Sequence, residues 1–294
     1  MSTLAAPILQ LLINGVLMSA LYSILAIGLT VIFGILRIFN IAHGSFMVTA
    51  GYVTFWLFAL YGIDPLASLP FCFALFVLIG WITQKTLIGP AIVHEKYTLQ
   101  SSLLVTYGLA LIIENASIIA WSGNYRTIIT DYSFTSLTTM GLSLNVPRLL
   151  TLVVALTVMI TFYLFISRTG LGKAIRACTQ DRDAALLVGI DFDRIASITF
   201  GLCTGVAAVA GALLVLTDLV HPSMALQYTL KAFTIIVLGG LGSIPGALLG
   251  SLVLGLSEAL GGFLFVPAYK EVISFVILIV ALVIRPEGFL GKKR

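Results

Sequence analysis

Three ionisable side chains stand within or beside long apolar stretches of the sequence, namely His43, Glu114 and Glu258. If these stretches cross a bilayer, such groups are costly to bury, and they usually serve proton or ion coupling or contact a polar solute. Glu114 lies in the middle of its stretch, whereas Glu258 lies nearer an end. His43 also lies near an end, so we expect it at a membrane–water interface. Glu114 is therefore the strongest candidate for chemistry at membrane depth.

Residues of the kinds found in enzyme active sites do not cluster in this sequence. The histidines fall in three different segments, and neither His-Glu-x-x-His nor Gly-x-Ser-x-Gly occurs. The cysteines lie far apart without metal-type spacing, so we expect them to pack as small apolar side chains. These residues are His43, His94, His221, Cys72, Cys178 and Cys203. We therefore expect no catalytic activity, no metal and no cofactor in this chain.

A loop that binds nucleotide phosphates is also missing from the sequence. Gly172-Lys173 comes nearest to the pattern Gly-x-x-x-x-Gly-Lys-Ser/Thr, but Ala174 follows the lysine and Ser167 stands in place of the first glycine. That pattern works because its backbone amides cradle the phosphates and its hydroxyl reaches the magnesium ion. We therefore expect that this chain does not bind ATP itself.

Residues 167–194 are the main water-facing segment, with nearly a third of the chain's 28 charged residues (16 basic and 12 acidic). Thr179 or Asp181 is a suitable N-cap for a short helix there, and Gly189 is a suitable stop. Two interpretations stay open: the helix lies on the lipid surface, or it docks on a soluble protein. The mixture of acidic and basic side chains favours the protein partner.

Residues 239–246 read Gly-Gly-Leu-Gly-Ser-Ile-Pro-Gly and separate a short apolar segment from a long one. This break predicts a discontinuous or re-entrant helix, which is tolerated at membrane depth only inside protein or along a cavity. Gly242, Gly246 and Gly250 recur every four residues, and this spacing permits close helix packing on one face. The alternative is that the break lines a pathway and offers backbone groups to a zwitterionic solute.

A similar interruption occurs in the first half of the chain, where Gly44 follows His43. The two interrupted segments are candidates for corresponding positions in an internal repeat. Together with the mid-stretch carboxylate, they give the predicted pathway residues His43, Gly44, Glu114, Gly239, Gly240 and Gly242.

The elements that must position these residues are transmembrane helices. Hydrophobic residues make up 60% of the 294-residue chain and charged residues 10%, against about 25% charged in soluble domains. Several apolar runs approach the ~20 residues that a helix needs to span a bilayer. The sequence therefore predicts an all-α, polytopic helical bundle with about eight or nine spans, one of them discontinuous. We expect a single transmembrane domain over residues 1–294.

The orientation follows from the basic residues, which concentrate in cytoplasmic loops. With residues 167–194 and the C-terminal tail in the cytoplasm, the N-terminus is outside. Twelve basic residues then lie inside: Arg37, Lys85, Lys96, Arg168, Lys173, Arg176, Arg182, Arg194, Arg285, Lys292, Lys293 and Arg294. Four lie outside: Arg126, Arg148, Lys231 and Lys270. This topology accounts for the basic excess, so no nucleic-acid partner is expected.

Several motifs resemble the permeases of branched-chain amino acid ABC transporters, most closely the first of that system's two related permeases. The resemblance covers almost the whole chain, and the motifs of the last third are the most specific. They are the segment Gly172 to Ile190, Asn40-Ile41-Ala42-His43-Gly44, Lys231-Ala232-Phe233-Thr234, the glycine-rich residues 239–247, Glu258-Ala259-Leu260, Tyr269-Lys270-Glu271 and Pro286-x-Gly288-x-Leu290-Gly291.

The resemblance implies a permease of the type II ABC importer kind, in the bacterial inner membrane. Its partners would be a homologous second permease, two ATP-binding cassette subunits that hydrolyse the ATP, and a periplasmic amino-acid-binding protein. Residues 167–194 would be the coupling loop that contacts the ATPases. The predicted contact residues are Arg176, Asp181, Asp183, Ala184, Ala185 and Gly189.

Two departures from the family pattern keep other functions open. Ser45 stands where the family usually has Glu after His-Gly, and the loop between the fourth and fifth spans is short. Permeases for urea, amides or other amino acids resemble the same family. A further alternative is a secondary transporter driven by protons or sodium, with Glu114 as the coupling carboxylate.

Overall fold

The computed structural model describes residues 5–93, 98–139, 142–264, 270–284 and 288–290. In these ranges the chain is almost entirely helical, as predicted. The helices are α1 Ala5–Leu36, α2 His43–Tyr61, α3 Pro65–Thr83, α4 Gly89–Val93, α5 Thr98–Trp121, α6 Val146–Arg168, α7 Gly170–Gln180, α8 Arg182–Leu187, α9 Phe192–Thr217, α10 Ala225–Gly239, α11 Ile244–Leu264 and α12 Lys270–Ile284. Lys96, Arg285 and the basic residues of the tail lie outside the described ranges.

Seven helices of the described chain are long and apolar enough to cross a membrane: α1, α2, α3 with its continuation to Ala91, α5, α6, α9 and α11. The residues Val272–Ile284 of α12 form a shorter apolar helix. Counting α12 gives eight crossings, and counting the 15-residue α10 gives nine. The described part of the chain thus has seven helices of spanning length against the predicted eight or nine spans, and the short helices α10 and α12 account for the difference.

The transmembrane helices begin where the sequence supplies polar caps and prolines. The Asp64 side chain accepts a hydrogen bond from the Leu66 amide (2.8 Å), directly before α3. Asn145 caps α6 in the same way through the Arg148 amide, at 3.3 Å. Each cap is followed within two residues by a proline, which needs no partner in the first turn.

Helices α1 and α9 form the centre of the bundle, and most of their residues are buried. Glycines allow the neighbouring helices to approach α9 closely. A methyl group on Gly80 of α3 would lie 2.6 Å from Thr204 Oγ1, and one on Gly51 of α2 would lie 3.0 Å from the Gly211 oxygen. This is small-residue packing of the kind that holds membrane helices together.

The chain does not leave the membrane cleanly between α1 and α2. It runs from Arg37 to Asn40 without regular structure and then turns into α2 at the depth of mid-α9, where His43 lies beside Cys203. The exposed backbone groups of this segment are satisfied by threonines: Thr106 Oγ1 donates to Phe39 O, and Thr229 Oγ1 donates to Ile41 O. Irregular backbone at this depth is stable only with such internal partners.

Helices α10 and α11 form a tight antiparallel hairpin, joined by residues 240–243. Gly239 and Gly246 are in backbone contact, and four residues further along each helix Gly250 meets Ile235 O. The predicted discontinuous or re-entrant helix is therefore wrong for this break, which is the turn of a helical hairpin. Gly246 and Gly250 serve packing as predicted, whereas Gly242 lies in the turn with φ +83° and not on the helix face.

The end of the bundle where α1 begins is called the outer end here, following the predicted orientation. The strands β1 Ser136–Thr139 and β2 Leu142–Asn145 form an antiparallel hairpin at that end. Gln10 Nε2 donates to Ser143 O (2.7 Å), which ties the hairpin to α1. Tyr132 donates its hydroxyl to Asp64 Oδ2 (3.0 Å). Burial, with this carboxylate nearby, raises the pKa of Tyr132 to about 12, so its hydroxyl keeps the proton that it donates.

Candidate functional site

The predicted coupling segment folds as two short helices rather than one. Helix α7 packs against α6, and Thr169 caps it by accepting a hydrogen bond from the Gly172 amide (3.0 Å). A side chain at Gly172 would overlap the backbone of Ile166, so glycine is required there. Arg176 donates from its guanidinium to the Ile166 carbonyl, which closes the angle between α6 and α7. Arg176 therefore stabilises the loop from within, although its side chain is exposed.

Helix α8 is fixed at both ends by the residues that the sequence predicted. Asp181 Oδ1 accepts a hydrogen bond from the Ala184 amide (3.0 Å), whereas Thr179 lies inside α7 and caps nothing. At the other end Gly189 has φ +82°, and the Ile190 amide donates to Ala185 O (3.0 Å). A left-handed glycine with this bond is a common C-terminal cap. The orientation of α8 is thereby set by local geometry.

The outward face of α8 is apolar. Leu187 is 89% exposed and Val188 76% exposed, whereas Ala185 is buried against the protein. Ala184 and Asp183 are also exposed, and Asp183 lies in the first helical turn, where the helix dipole favours a negative charge. Of the predicted coupling residues, Asp183, Ala184 and Ala185 lie in α8, Asp181 and Gly189 flank it, and Arg176 lies in the preceding helix α7.

One of the contacts between the coupling segment and the core of the bundle is at a glycine of α1. A methyl group on Gly34 of α1 would lie 3.8 Å from Thr179 Cγ2 of α7 and 3.6 Å from the Cα atom of Gly242. Gly34 therefore lies between the coupling segment and the α10–α11 turn. Movement of α7 would be felt by both α1 and the hairpin.

The predicted pathway glycines of the second half lie at this same end of the bundle. Gly239 is the last residue of α10, Gly240 follows it with φ +100°, and both are buried. The carbonyl of Gly239 accepts a hydrogen bond from the Leu290 amide (3.0 Å), and the carbonyl of Leu238 accepts one from the Phe289 amide (2.7 Å). These carbonyls are thus occupied by the C-terminal segment, and they are not offered to a solute in this conformation.

His43 is completely buried, so its predicted position at a membrane–water interface is wrong. The reason is the irregular segment before α2, which carries the residue back to mid-bundle. Its Nε2 atom lies 3.1 Å from Leu25 O. A methyl group on Gly28 would lie 3.1 Å from the Cε1 atom of the ring, so glycine makes room for the imidazole. Gly44 donates its amide to Thr229 Oγ1 (2.9 Å) and leaves no room for a side chain against Ala225. Both residues lock α1, α2 and α10 together.

Glu114 is half-buried on α5, the most outward-facing of the long helices. Within the described part of the chain, no hydrogen bond or ion pair to its carboxylate is found. The next residue, Asn115, is exposed and donates only to Leu111 O of its own helix (2.8 Å). Two polar side chains thus lie together on a helix surface that is otherwise apolar.

A cluster of buried polar groups joins α1, α10, α11 and α12. Glu258 is fully buried, and its carboxylate accepts from Tyr22 (2.5 Å), from Ser274 (2.5 Å) and from Lys231 (3.2 Å). Lys231 also donates to the Tyr22 hydroxyl (2.9 Å) and lies over the rings of Tyr22 and Tyr228. The sequence placed Lys231 in an outer loop, and this is wrong, because it lies within α10.

A cavity of about 160 Å³ lies above this cluster and extends toward the outer end of the bundle. Apolar side chains of α1 form one wall, and charged and polar side chains of α6, of the C-terminal end of α9, of α10 and of α11 form the others. The lining residues are Leu17, Met18, Leu21, Tyr22, Arg148, Thr151, Thr217, Asp218, Tyr228, Lys231 and Glu258. Asp218 is exposed at the outer end of α9, whereas Glu258 is buried at the floor.

Comparison with known proteins identifies the family. The family model for the permease component of branched-chain amino acid transport systems matches residues 11–282. The chain belongs to this family. The permease is 34% identical to the high-affinity branched-chain amino acid transport system permease protein BraD of Pseudomonas aeruginosa, over 97% of this chain and 96% of BraD. It is 33% identical to LivH of Escherichia coli K12, with the same coverage.

The fold of the permease has a counterpart among solved structures. PsaBC from Streptococcus pneumoniae in complex with Fab superimposes with a TM-score of 0.51, over 94% of this chain and 92% of that one. The sequence identity is 13%, so this similarity concerns the fold alone. The family match and the apolar helices together establish that the chain is a multi-pass membrane permease, as the sequence predicted.

The lining of the cavity was the main feature missed by sequence reasoning. A signal was present, since Lys231 and Glu258 are opposite charges within neighbouring apolar segments. Ionisable residues inside membrane segments commonly pair with one another. Arg148, predicted as an outer-loop charge, stands at the third position of α6 and lines the same cavity.

Proposed function

We propose that this permease is the membrane subunit of an ABC importer that carries leucine, isoleucine and valine across the inner membrane. The relatives named above are high-affinity branched-chain amino acid permease proteins, and the similarity extends over nearly the whole of each chain. The observation that carries the proposal is the structure of α8, a doubly capped helix that presents apolar side chains at the cytoplasmic end.

The motor is provided by two separate ATP-binding cassette subunits that dock on α7 and α8. Leu187 and Val188 project from a water-facing segment, where an isolated apolar surface favours contact with protein. Asp181 and Gly189 hold this surface in a fixed orientation, so that force applied to α8 reaches α7 and the Gly34 contact. The permease itself binds no nucleotide or other cofactor and catalyses no reaction.

A homologous second permease packs against α5. The half-buried Glu114 and the exposed Asn115 would be costly next to lipid, because polar groups at membrane depth need polar or aqueous surroundings. Gly108 lies on the same helix with open space around its α-carbon, which leaves room for the backbone of a neighbouring helix. This interpretation gives Glu114 a role in assembly rather than in ion coupling.

A periplasmic binding protein delivers the amino acid at the outer end. The β-hairpin and the loop around His221 form that surface. His221 lies 3.0 Å from Gly123 O through Nε2 and stacks beside Tyr125, so it organises the loop locally. The first selection among amino acids is then made by the binding protein, and the permease supplies a path that opens alternately to the two sides.

The test is reconstitution in proteoliposomes with and without partners. The permease is assembled with a second permease, the two ATPases and the binding protein of the same organism, and uptake of radiolabelled leucine is measured. We expect uptake to require internal ATP and all partners, and to be unchanged by ionophores. Uptake by the permease alone along a proton or sodium gradient would establish a secondary transporter instead. Urea and amide uptake are measured in the same assembly, and transport of these solutes in place of leucine would refute the substrate assignment.

A further inference from the structure

We propose that the cavity between α1, α6, α9 and α10 is a transient binding site for a zwitterionic aliphatic amino acid. The inference rests on the proposed function and adds a site to it. The cavity begins at the outer end of the bundle, where Thr217 is the last residue of α9 and Asp218 is its C-cap. It ends at the buried Lys231–Glu258 pair. A solute released at the outer end therefore meets this cavity before the core of the bundle.

The charges of the lining match a zwitterion. Arg148 and Lys231 contribute two positive charges, and Asp218 and Glu258 contribute two negative charges. Their sum is zero, so the site favours a solute that has both charges and no net charge. A cationic or anionic amino acid would leave one charge uncompensated beside the buried Lys231–Glu258 pair, and this is unfavourable.

Each end of the zwitterion has a suitable group in the lining. Arg148 presents a guanidinium, whose fork of donors fits a carboxylate in a bidentate arrangement. Asp218 presents a carboxylate, which has about four acceptor positions and can bind an ammonium group in addition to other partners. The rings of Tyr22 and Tyr228 also line the cavity, and both already contact the Lys231 ammonium group.

The remaining wall suits an aliphatic side chain. Leu17, Met18 and Leu21 line the cavity from α1, and Leu17 and Leu21 are buried. At about 30 Å³ per water, the volume of about 160 Å³ corresponds to roughly five water molecules. This is the order of volume that leucine or isoleucine needs.

The buried pair makes this site responsive to the motor. Lys231 stands eight residues before Gly239, on the same helix that ends beside Gly34 and the coupling segment. Helix α10 is short and packs along α11. A shift at its cytoplasmic end therefore moves Lys231 at the cavity floor. The site is therefore placed to change its affinity when the ATPases act.

Direct binding tests the site without the receptor. Saturation-transfer NMR is recorded on the full purified chain in detergent micelles with leucine, leucinamide, 4-methylpentanoate and lysine. We expect transfer to leucine and at least roughly tenfold weaker binding of the other three, since each of these solutes lacks a charge or adds one. Equal transfer to all four compounds, or none to leucine, would overturn the proposal.

Variants separate binding from folding and from the proposed function. Arg148→Gln is expected to weaken leucine binding at least roughly tenfold, while Arg148→Lys keeps the charge but not the bidentate fork and is expected to retain only part of the binding. Met18→Phe fills the cavity and is expected to exclude leucine but not glycine. Lys85→Gln, a basic residue of the segment after α3 that does not line the cavity, serves as the matched control.

The same variants are then measured in the complete transporter. We expect Arg148→Gln to keep receptor-stimulated ATPase activity, which reports an intact assembly, and to lose at least roughly tenfold in leucine carried per ATP. A ratio within twofold of wild type for both Arg148→Gln and Met18→Phe would refute the site. That result would leave the importer itself standing, because wild-type leucine uptake is measured alongside. If Arg148→Gln does not fold, the proposal is decided by Met18→Phe and by the binding of leucinamide, 4-methylpentanoate and lysine to the wild-type protein.

Discussion

Lys231 Nζ lies 3.0 Å from Glu258 Oε1, so two residues 27 positions apart, one on each side of the α10–α11 turn, form a buried ion pair at the base of the outer cavity. The carboxylate is completely buried and the ammonium side chain is 16% exposed. The pair holds α10 against α11, and Tyr22 and Ser274 extend it to α1 and α12. Polar contacts to one carboxylate therefore join four helices.

Removing one member of this pair should destabilise the protein more than removing both. Lys231→Met leaves an uncompensated carboxylate in the bundle, and such a loss costs about 3–5 kcal/mol. The double variant Lys231→Met/Glu258→Gln keeps hydrogen bonds to Tyr22 and Ser274 without a net charge, and we expect it to recover most of this loss. Thermal unfolding in detergent, followed by circular dichroism, measures both. A double variant less stable than either single one would show that the ion pair itself stabilises the fold.

The sequence predicted most of the architecture but little of the cavity. Apolar runs and capping residues are local signals. They located the apolar helices, and they predicted Asp181 and Gly189 correctly as the two ends of a short capped helix. The depth of His43 depends instead on how residues 37–42 return between α5 and α10, and no local pattern records this. The Lys231–Glu258 contact likewise depends on the packing of one helix against the next.

The glycine positions at which α10 and α11 are in backbone contact should tolerate no side chain. Gly246→Leu would force the two helices apart, because even a methyl group there overlaps the backbone of Gly239. Overpacking in a tight core costs about 1–3 kcal/mol, and more is expected here because the obstacle is backbone. Gly108→Ala, on α5 with nothing within 4 Å, is the matched control. Detergent-stable yield and unfolding temperature measure the effect, and equal values for the two variants would contradict the packing.

The outward face of α8 should be needed for motor binding and not for folding. Leu187 is 89% exposed, so Leu187→Asp removes an apolar contact without disturbing the bundle. We expect at least about a tenfold loss of ATPase binding in pull-down or biolayer measurements, because this side chain would stand at the centre of the contact. Leu104→Asn, 75% exposed on α5, is the control for changing an exposed leucine. Unchanged binding in Leu187→Asp would place the motor elsewhere.

Asp183 and Gly189 should couple ATP hydrolysis to transport. Asp183→Lys reverses a charge on the docking surface, and Gly189→Val places a branched side chain at φ +82°, where it is strained by roughly 1–2 kcal/mol. We expect both variants to stay in the membrane and to lower leucine uptake per ATP hydrolysed. Asp193→Lys, in the first turn of α9, is the charge-reversal control. Wild-type coupling in both variants would exclude α8 as the site of force transfer.

Glu114 distinguishes assembly from ion coupling. If its carboxylate faces a second permease, Glu114→Gln keeps a polar group of the same size, and we expect uptake to continue with ATP as the energy source. Glu114→Leu removes that polarity and should weaken association of the two permeases, because the polar contact across the helices is lost. Size-exclusion chromatography of the co-expressed pair measures this association. The opposite outcome has two parts: Glu114→Gln loses uptake while the two permeases stay associated, and a proton gradient replaces ATP as the energy source of the wild type. That outcome would assign the carboxylate to coupled ion transport.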